Sequence, residues 1–366
     1  MSMTNDRRIL IMAGGTGGHV FPALAVAKYL REHGVLVSWL GTQKGIEADV
    51  VPAAEFEIDY ISVTGLRGKG LVGWFFAPLN LTRALLQAIS ILRKRRPCAV
   101  LGMGGFASGP GGIASWLLRT PLLIHEQNAI AGLTNRILSK FASVVMQGFP
   151  ATFSQKNALH TGNPVREDIV ALAAQQQKHN SIHDPLHVLV FGGSLGAQAL
   201  NEVVPQALAT IPEQQRPVVK HQAGKRHLDN ARQAYASSGV EADVVPFIDD
   251  MASVYQWADV VICRSGALTV AELAAAGVAS VLVPYPYAVD DHQTANAAYL
   301  ADAGAAMLVP QTELTVERLK NIFQIFMQRP EALQQMSQEA KRQAQLQACA
   351  VVAEKCMQYL AAEKQS

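Results

Sequence analysis

One pattern occurs twice in this chain and limits its fold more than any other feature. Arg8 to Leu30 reads RILIMAGGTGGHVFPALAVAKYL, and His187 to Leu208 reads HVLVFGGSLGAQALNEVVPQAL. Each is a short apolar run, a double glycine, a small polar residue, another glycine and a helix pattern. Unbroken apolar runs of this length suit parallel strands covered on both faces. A glycine turn feeding a helix start is the βα connection of a Rossmann-like unit, where backbone amides and the positive dipole end can meet an anion. The repeat therefore predicts an α/β protein of two Rossmann-like halves, with parallel sheets facing across a cleft. At 366 residues the chain is also too long for one ordinary core. The expected domains are residues 1–163 and 164–345, with a last helix over about 346–366 packing back on the first half. HTGNPVRED (His160 to Asp168) and QQQKHNSIHDP (Gln175 to Pro185) read as the crossing between them.

In the second half, Val260 to Cys263 reads as a buried strand, broken by Arg264, Ser265 and Gly266. A helix is expected from Ala267 or Leu268 to Ala276, with Gly277 ending it. Ser265 or Thr269 is placed to cap its start, and Thr269-x-x-Glu272 also matches a capping box. Glu272 lies about one turn in, ~5 Å along the axis. That separation matches the distance from a nucleotide's diphosphate to its ribose hydroxyls. Two readings stand: Glu272 accepts from a ribose, or it closes its own cap.

In the first half, Ile9 to Ala13 reads as a strand, GGTGGH (Gly14 to His19) as the turn, and Val20 to His33 as the helix. G-x-G-x-x-G is not matched, and the next strand, Val35 to Leu40, ends in Gly41-Thr42 with no acid to hold an adenosine ribose. That argues against a Rossmann oxidoreductase. His19 stands in the mouth of the expected site, either as a working imidazole or as a packing or capping one. A strand at Ala99 to Gly102 opens into GMGGFASGPGG (Gly102 to Gly112), read as a second flexible loop. Another strand, Leu122 to His125, ends in HEQN (His125 to Asn128). In an open α/β sheet such strand ends line one crevice.

The net charge of +2 is unevenly distributed. Between Asp59 and Glu126 there is no acid, while Arg67, Lys69, Arg83, Arg93, Lys94, Arg95, Arg96 and Arg119 all fall there. Leu71, Trp74, Phe75, Phe76 and Leu79 form an apolar cluster that continues as a helix to RKRR. Such a surface suits the headgroup region over anionic lipid; the other reading is a core helix with a solvated basic end. The aromatics are not interleaved with the cations, which disfavours nucleic acid. The four cysteines show no metal spacing, and reduced thiols are expected. The polar start MSMTNDRR runs straight into a strand, so no signal peptide is expected, and no stretch reads as a spanning helix.

Together GGTGGHVFPALA, TGLRGKG, GMGGFASGPGG, HEQNAIAGLTN, TGNPVR, FGGSLGAQ, FIDDM and CRSGALTVAEL resemble, in order and through both halves, the MurG family of bacterial peptidoglycan glycosyltransferases. The resemblance implies a GT-B fold. It implies an inverting transfer of N-acetylglucosamine from UDP-GlcNAc to the C4 hydroxyl of lipid I, the undecaprenyl-diphosphate-MurNAc-pentapeptide, giving lipid II. Thr16, Gly17, Gly18 and Asn128 would touch the sugar end, Arg166 and Ser194 the diphosphate, and the Ile248 backbone the uracil. Ala267, Leu268, Thr269, Val270, Ala271 and Glu272 would bind phosphates and ribose, with Glu272 on the ribose hydroxyls. His292 and Gln293 stand where the family often carries a glutamine pair. Gly14, Gly15, Gly104, Gly105 and Ser108 would hold the acceptor diphosphate. Leu71, Trp74, Phe75, Phe76, Leu79, Lys69 and Arg83 would form the membrane surface, seating the enzyme peripherally on the cytoplasmic face of the inner membrane. Partners in cell-wall synthesis and division are implied as well. A single displacement needs a base on the acceptor hydroxyl and stabilisation of the leaving diphosphate. His19 is the expected base, with Glu126 competing. No D-x-D is present to hold a metal–diphosphate pair, so no essential metal or cofactor is expected. The rivals are a UDP-N-acetylglucosamine 2-epimerase on the same fold and a non-catalytic sugar-nucleotide binding module.

Overall fold

The computed structural model describes residues 7–63, 77–154, 157–174, 182–193 and 196–362. The expectations for Lys69, Leu71, Trp74, Phe75, Phe76 and Ser194 lie outside the described residues. The chain divides into two compact units, Met1–Arg166 with Leu346–Ser366, and Glu167–Gln345.

The first unit contains β1 (Arg8–Met12), α1 (Gly17–Glu32), β2 (Leu36–Gly41), α2 (Glu47–Ala53), β3 (Glu57–Tyr60), α3 (Ala77–Arg95) and β4 (Ala99–Gly102). It continues with α4 (Ser108–Leu117), β5 (Leu122–Glu126), α5 (Leu133–Leu138), β6 (Val144–Gln147) and β7 (Leu159–His160). Its seven strands run parallel in the order β3-β2-β1-β4-β5-β6-β7. Along β1, Ile9 and Ile11 enter one core and Leu10 and Met12 the other, so the apolar run is unbroken because both faces are covered.

The second unit contains α6 (Glu167–Val170), β8 (His187–Phe191), α7 (Gln198–Ala209), β9 (Val218–Gln222), α8 (Leu228–Ser237), β10 (Asp243–Val245) and α9 (Met251–Trp257). It continues with β11 (Val260–Cys263), α10 (Ala267–Ala276), β12 (Ala279–Leu282), α11 (His292–Ala301), β13 (Ala306–Leu308), α12 (Val316–Gln328) and α13 (Pro330–Arg342). Its order, β10-β9-β8-β11-β12-β13, repeats the Rossmann arrangement. The last helix, α14 (Ala348–Ala362), buries Val352, Ala353 and Cys356 in the core that also contains Val20 and Ala23 of α1.

In both sheets the order reverses at the first strand, between β1 and β4 and between β8 and β11. A crevice opens beyond the carboxyl ends of strands at such a point, and that is where ligands bind in this architecture. Each crevice is lined by two turns: Gly14-Gly15 with Gly104-Gly105 in the first unit, and Gly192-Gly193 with Arg264-Ser265-Gly266 in the second.

Two expectations need correction. The first helix starts at Gly17 rather than Val20, because extended Thr16 serves as its N-cap and the glycines occupy the first turn. GMGGFASGPGG is not flexible throughout: α4 starts at Ser108, and Pro110 lies in its first turn, where a missing N–H costs no intrahelical bond. The basic end of α3 is also less free than its acid-free surroundings suggest. Arg95 bonds Asp59 (2.6 Å) and Glu57 (2.5 Å) of β3, and these contacts raise its pKa.

Candidate functional site

In the first unit the two glycine turns interlock. Gly104 and Gly105 have φ of +94° and +87°, which side chains rarely adopt. A Cβ on Gly104 would stand 2.6 Å from His19 Nδ1, and one on Gly105 only 2.3 Å from the Gly14 carbonyl oxygen. Ser108 ties the turns together by donating to the carbonyls of Met12 (3.1 Å) and Gly104 (2.8 Å). Its hydroxyl, expected on the acceptor diphosphate, is fully buried and serves as this internal tie.

Glu47 escaped the sequence reading. It is fully buried, and its carboxylate accepts from the Gly15 amide (2.8 Å), the Thr42 amide (2.9 Å) and the Thr42 hydroxyl (2.8 Å). The Gly15 amide is thus directed into the protein rather than toward an anion above the sheet. The acid missing from the end of β2 stands five residues past Thr42, and holds the glycine turn instead of a ribose. Glu47→Ala leaves the two buried Thr42 donors and the half-buried Gly15 amide without this acceptor, at roughly 1–3 kcal/mol for each buried donor. Urea unfolding should show a loss of about 3 kcal/mol or more, with Glu47→Gln retaining part of it. Unchanged unfolding midpoints would contradict this role.

The end of β5 supplies the rest of this site. Glu126 is buried, and its oxygens accept from the Asn128 amide (3.0 Å), Asn128 Nδ2 (3.2 Å), the Gly132 amide (3.1 Å) and Asn135 Nδ2 (2.9 Å). Four donors around one carboxylate fold the 127–132 turn and position Asn128. They leave Glu126 poorly placed to take a proton from a substrate. His19, in the first turn of α1, is half-buried, with Nδ1 2.8 Å from Gln127 Oε1. Thr16 and Gly18 beside it are exposed, and Gly17 is partly exposed.

In the second unit α10 has Gly266 as its N-cap in extended conformation, with no side-chain capping bond, and Gly277 in the left-handed conformation at its end. The capping alternatives fall away. Ser265 donates instead to the Gln293 carbonyl (2.8 Å), and the helix starts before Thr269, so no Thr269–Glu272 box forms. Ala267, Leu268 and Thr269 supply first-turn amides, which have no intrahelical partner, and Val270 and Ala271 follow. Glu272, 7% exposed, accepts from the Tyr255 hydroxyl at 3.0 Å. Arg264, unassigned from sequence, donates to the carbonyls of Val283 (3.1 Å) and Pro284 (3.0 Å), fixing the loop before Tyr285.

The Ile248 amide donates to Gln222 Oε1 (2.9 Å), whose Nε2 donates to the Gly193 carbonyl (3.0 Å). Gln222 thereby joins the Ile248 loop to the glycine turn. Gln293 Oε1 accepts from the Tyr285 amide (2.9 Å), while His292 is the first residue of α11. Arg166 is half-buried at the boundary of the first unit.

Among the described residues, His183, His187 and Asp259 bring possible ligand atoms within 4.8 Å of one another. They lie at the amino ends of β8 and β11, the opposite edge from the glycine turns. The two imidazoles stack at 3.9 Å and 17°, so their in-plane lone pairs run side by side rather than converging on one ion. Asp259 instead accepts from His183 Nδ1 (2.8 Å) and the His187 amide (2.8 Å), clasping the chain before β8.

Comparisons with known proteins agree with this arrangement. The glycosyltransferase family 28 N-terminal domain matches residues 9–147, and the family 28 C-terminal domain residues 187–351. A relative from Alkalilimnicola ehrlichii is 56% identical over 96% of this chain and 98% of its own. One from Chromohalobacter salexigens is 53% identical over 98% of both. Both are named UDP-N-acetylglucosamine–N-acetylmuramyl-(pentapeptide) pyrophosphoryl-undecaprenol N-acetylglucosamine transferase. The crystal structure of Acinetobacter baumannii MurG is similar at a TM-score of 0.80 and 42% identity, covering 96% of this chain and 99% of that one. A UDP-GlcNAc 2-epimerase from Neisseria meningitidis, bound to UDP-GlcNAc, shares only the fold, at a TM-score of 0.67 and 14% identity over 96% of this chain and 100% of that one. With both domain models matched and half or more of the residues identical in full-length relatives, the chain belongs to glycosyltransferase family 28.

Proposed function

We propose that this protein transfers N-acetylglucosamine from UDP-GlcNAc to the C4 hydroxyl of lipid I with inversion, giving lipid II for peptidoglycan synthesis. The observation that carries the reading is His19, held at one ring nitrogen by Gln127 beside two interlocked glycine turns at a strand-order reversal. Its other nitrogen takes the hydroxyl proton as the acceptor oxygen bonds the anomeric carbon and the bond to the UDP diphosphate breaks. The α10 N-terminus and Arg166 stabilise the departing diphosphate. Glu272 receives the ribose hydroxyls, the Ile248 backbone the uracil, and Ser194, His292 and Gln293 complete the donor contacts. Thr16, Gly17, Gly18 and Asn128 attend the sugar, and the amides of the glycine turns other than that of Gly15, which bonds Glu47, attend the acceptor diphosphate. This assignment needs no resident metal or cofactor. The full-length relatives' names support the same substrates. Transfer of labelled GlcNAc from UDP-GlcNAc to a lipid I analogue tests it. Conversion of UDP-GlcNAc to UDP-N-acetylmannosamine without acceptor, or its hydrolysis by water to N-acetylmannosamine and UDP, would point to the epimerase rival.

The same reading seats the enzyme peripherally on the cytoplasmic face of the inner membrane, where lipid I is presented and where cell-wall synthesis and division proteins work. No helix among the described residues is long and apolar enough to cross a membrane. α3 instead exposes Leu79 (68%) and Leu86 (61%) along an open groove of about 530 Å3, with Arg83 in its lining. Exposed Trp116 and Leu117 lie on α4, the helix packed against α3. Apolar side chains bordered by a cation suit anionic headgroups. Leu79→Ser with Leu86→Ser should weaken binding to anionic vesicles several-fold and leave turnover of a short-chain acceptor nearly intact. Equal binding to neutral and anionic vesicles, insensitive to salt, would count against the surface.

A further inference from the structure

We infer that Gln127 and His125 are positioning residues that set the tautomer of His19 and leave its Nε2 as the proton acceptor, an inference that rests on the reading of His19 as the base. The argument starts at a group whose role is not adjustable. The Gly162 carbonyl can only accept, and it lies 3.0 Å from His125 Nε2. That nitrogen therefore carries a hydrogen, which it also directs at Thr161 Oγ1 (3.1 Å). His125 is fully buried, and burial pushes its pKa down to about 4, so the ring is neutral and its Nδ1 is an acceptor.

Gln127 responds to that acceptor. Its Nε2 stands 3.1 Å from His125 Nδ1 and 3.2 Å from the His125 carbonyl, two acceptors that both call for the amide nitrogen. The side chain is 1% exposed, and the Gln127 carbonyl is held by Asn163 Nδ2 at 3.0 Å. With the nitrogen directed inward, Oε1 faces His19 Nδ1 at 2.8 Å, and an amide oxygen can only accept. His19 must then carry its hydrogen on Nδ1, which leaves the Nε2 lone pair for an acceptor hydroxyl. A reversed Gln127 would set its Oε1 against two acceptors, His125 Nδ1 and the His125 carbonyl, and that orientation is therefore excluded. The Gly162 carbonyl thus fixes, through two side chains, which nitrogen of His19 can act. The logic is that of a triad in which a third group selects the base's tautomer, here with a neutral amide in place of a carboxylate.

The test is the 15N spectrum of histidine-labelled full-length protein at about pH 8.5, two units above the ordinary imidazole value, where neutral rings report which nitrogen is protonated. Wild-type His19 should show hydrogen on Nδ1, and Gln127→Leu should lose that preference. With Gln127→Leu, kcat should fall about 10-fold or more while UDP affinity of the folded protein stays near wild type; the melting temperature should drop, because buried His125 Nδ1 loses its donor. Gln127→Glu should restore the Nδ1–H tautomer and most of kcat when the acid keeps its proton, because its O–H then replaces the amide N–H toward His125 Nδ1 and its other oxygen accepts from His19. A wild-type His19 protonated at Nε2 overturns the inference even if Gln127→Leu does not fold. So does a Gln127→Leu protein that keeps both the Nδ1–H tautomer and kcat. If the spectra follow the expectation but His19→Ala leaves kcat intact, the tautomer control stands and the assignment of His19 as base fails.

Discussion

His19→Ala is expected to lower kcat by about 10²–10⁴-fold, the usual contribution of a positioned general base. His19 has the right neighbours for that role: Gln127 at 2.8 Å on one side and the Gly104 turn against its ring. A general base must present a free lone pair to the acceptor hydroxyl, and the imidazole Nε2 can supply one. Glu126 is the competitor, but four N–H donors already surround its carboxylate. If His19→Ala keeps kcat within a few-fold and raises only the acceptor KM, His19 binds substrate and the base lies elsewhere.

The second large effect is expected at Glu272. Losing a carboxylate from a ribose diol removes charge-assisted hydrogen bonds of roughly 1.5–3 kcal/mol each. UDP affinity should therefore fall about 10- to 100-fold in Glu272→Ala. A 2′-deoxy donor, already missing one of the two hydroxyls, should lose less than the parent donor does. The buried Tyr255 hydroxyl loses its acceptor in the same variant, which adds a stability cost. Tyr255→Phe separates the two: it keeps the carboxylate, so UDP affinity should stay within a few-fold of wild type. Should Glu272→Ala bind UDP normally and only melt lower, the carboxylate is a structural partner of Tyr255.

The two effects separate kinetically because the residues serve different stages. On the proposed roles, loss of Glu272 should appear in UDP affinity and donor KM, and loss of His19 in kcat. Equal losses in both quantities for both variants would argue that the donor and base assignments are not independent.

Much of the architecture was legible without coordinates. The paired strand–glycine–helix pattern specified two Rossmann-like units, because an apolar run flanked by glycine and a helix period has few other ways to bury itself. Val260 to Cys263 and Ala267 to Ala276 read correctly because each signal is contained within a few consecutive residues. Helix starts at Gly17 and Ser108 were misread because glycine and proline tolerate the first turn, where propensity says least. The strands β7 and β13, two and three residues long, are too short to show a period. Side-chain partners were beyond reach for a different reason. Glu47 meets Gly15, Arg95 meets Asp59, and Tyr255 meets Glu272 across 32, 36 and 17 positions of chain, and no local pattern encodes such pairings. The sequence by itself determined which residue types stand at the strand ends, because strand and helix periods are local. Only the tertiary structure decided which of them are engaged in holding the others: Ser108, Glu47 and Glu126 turn inward because buried donors must find acceptors, and that choice depends on strands brought together from distant parts of the chain.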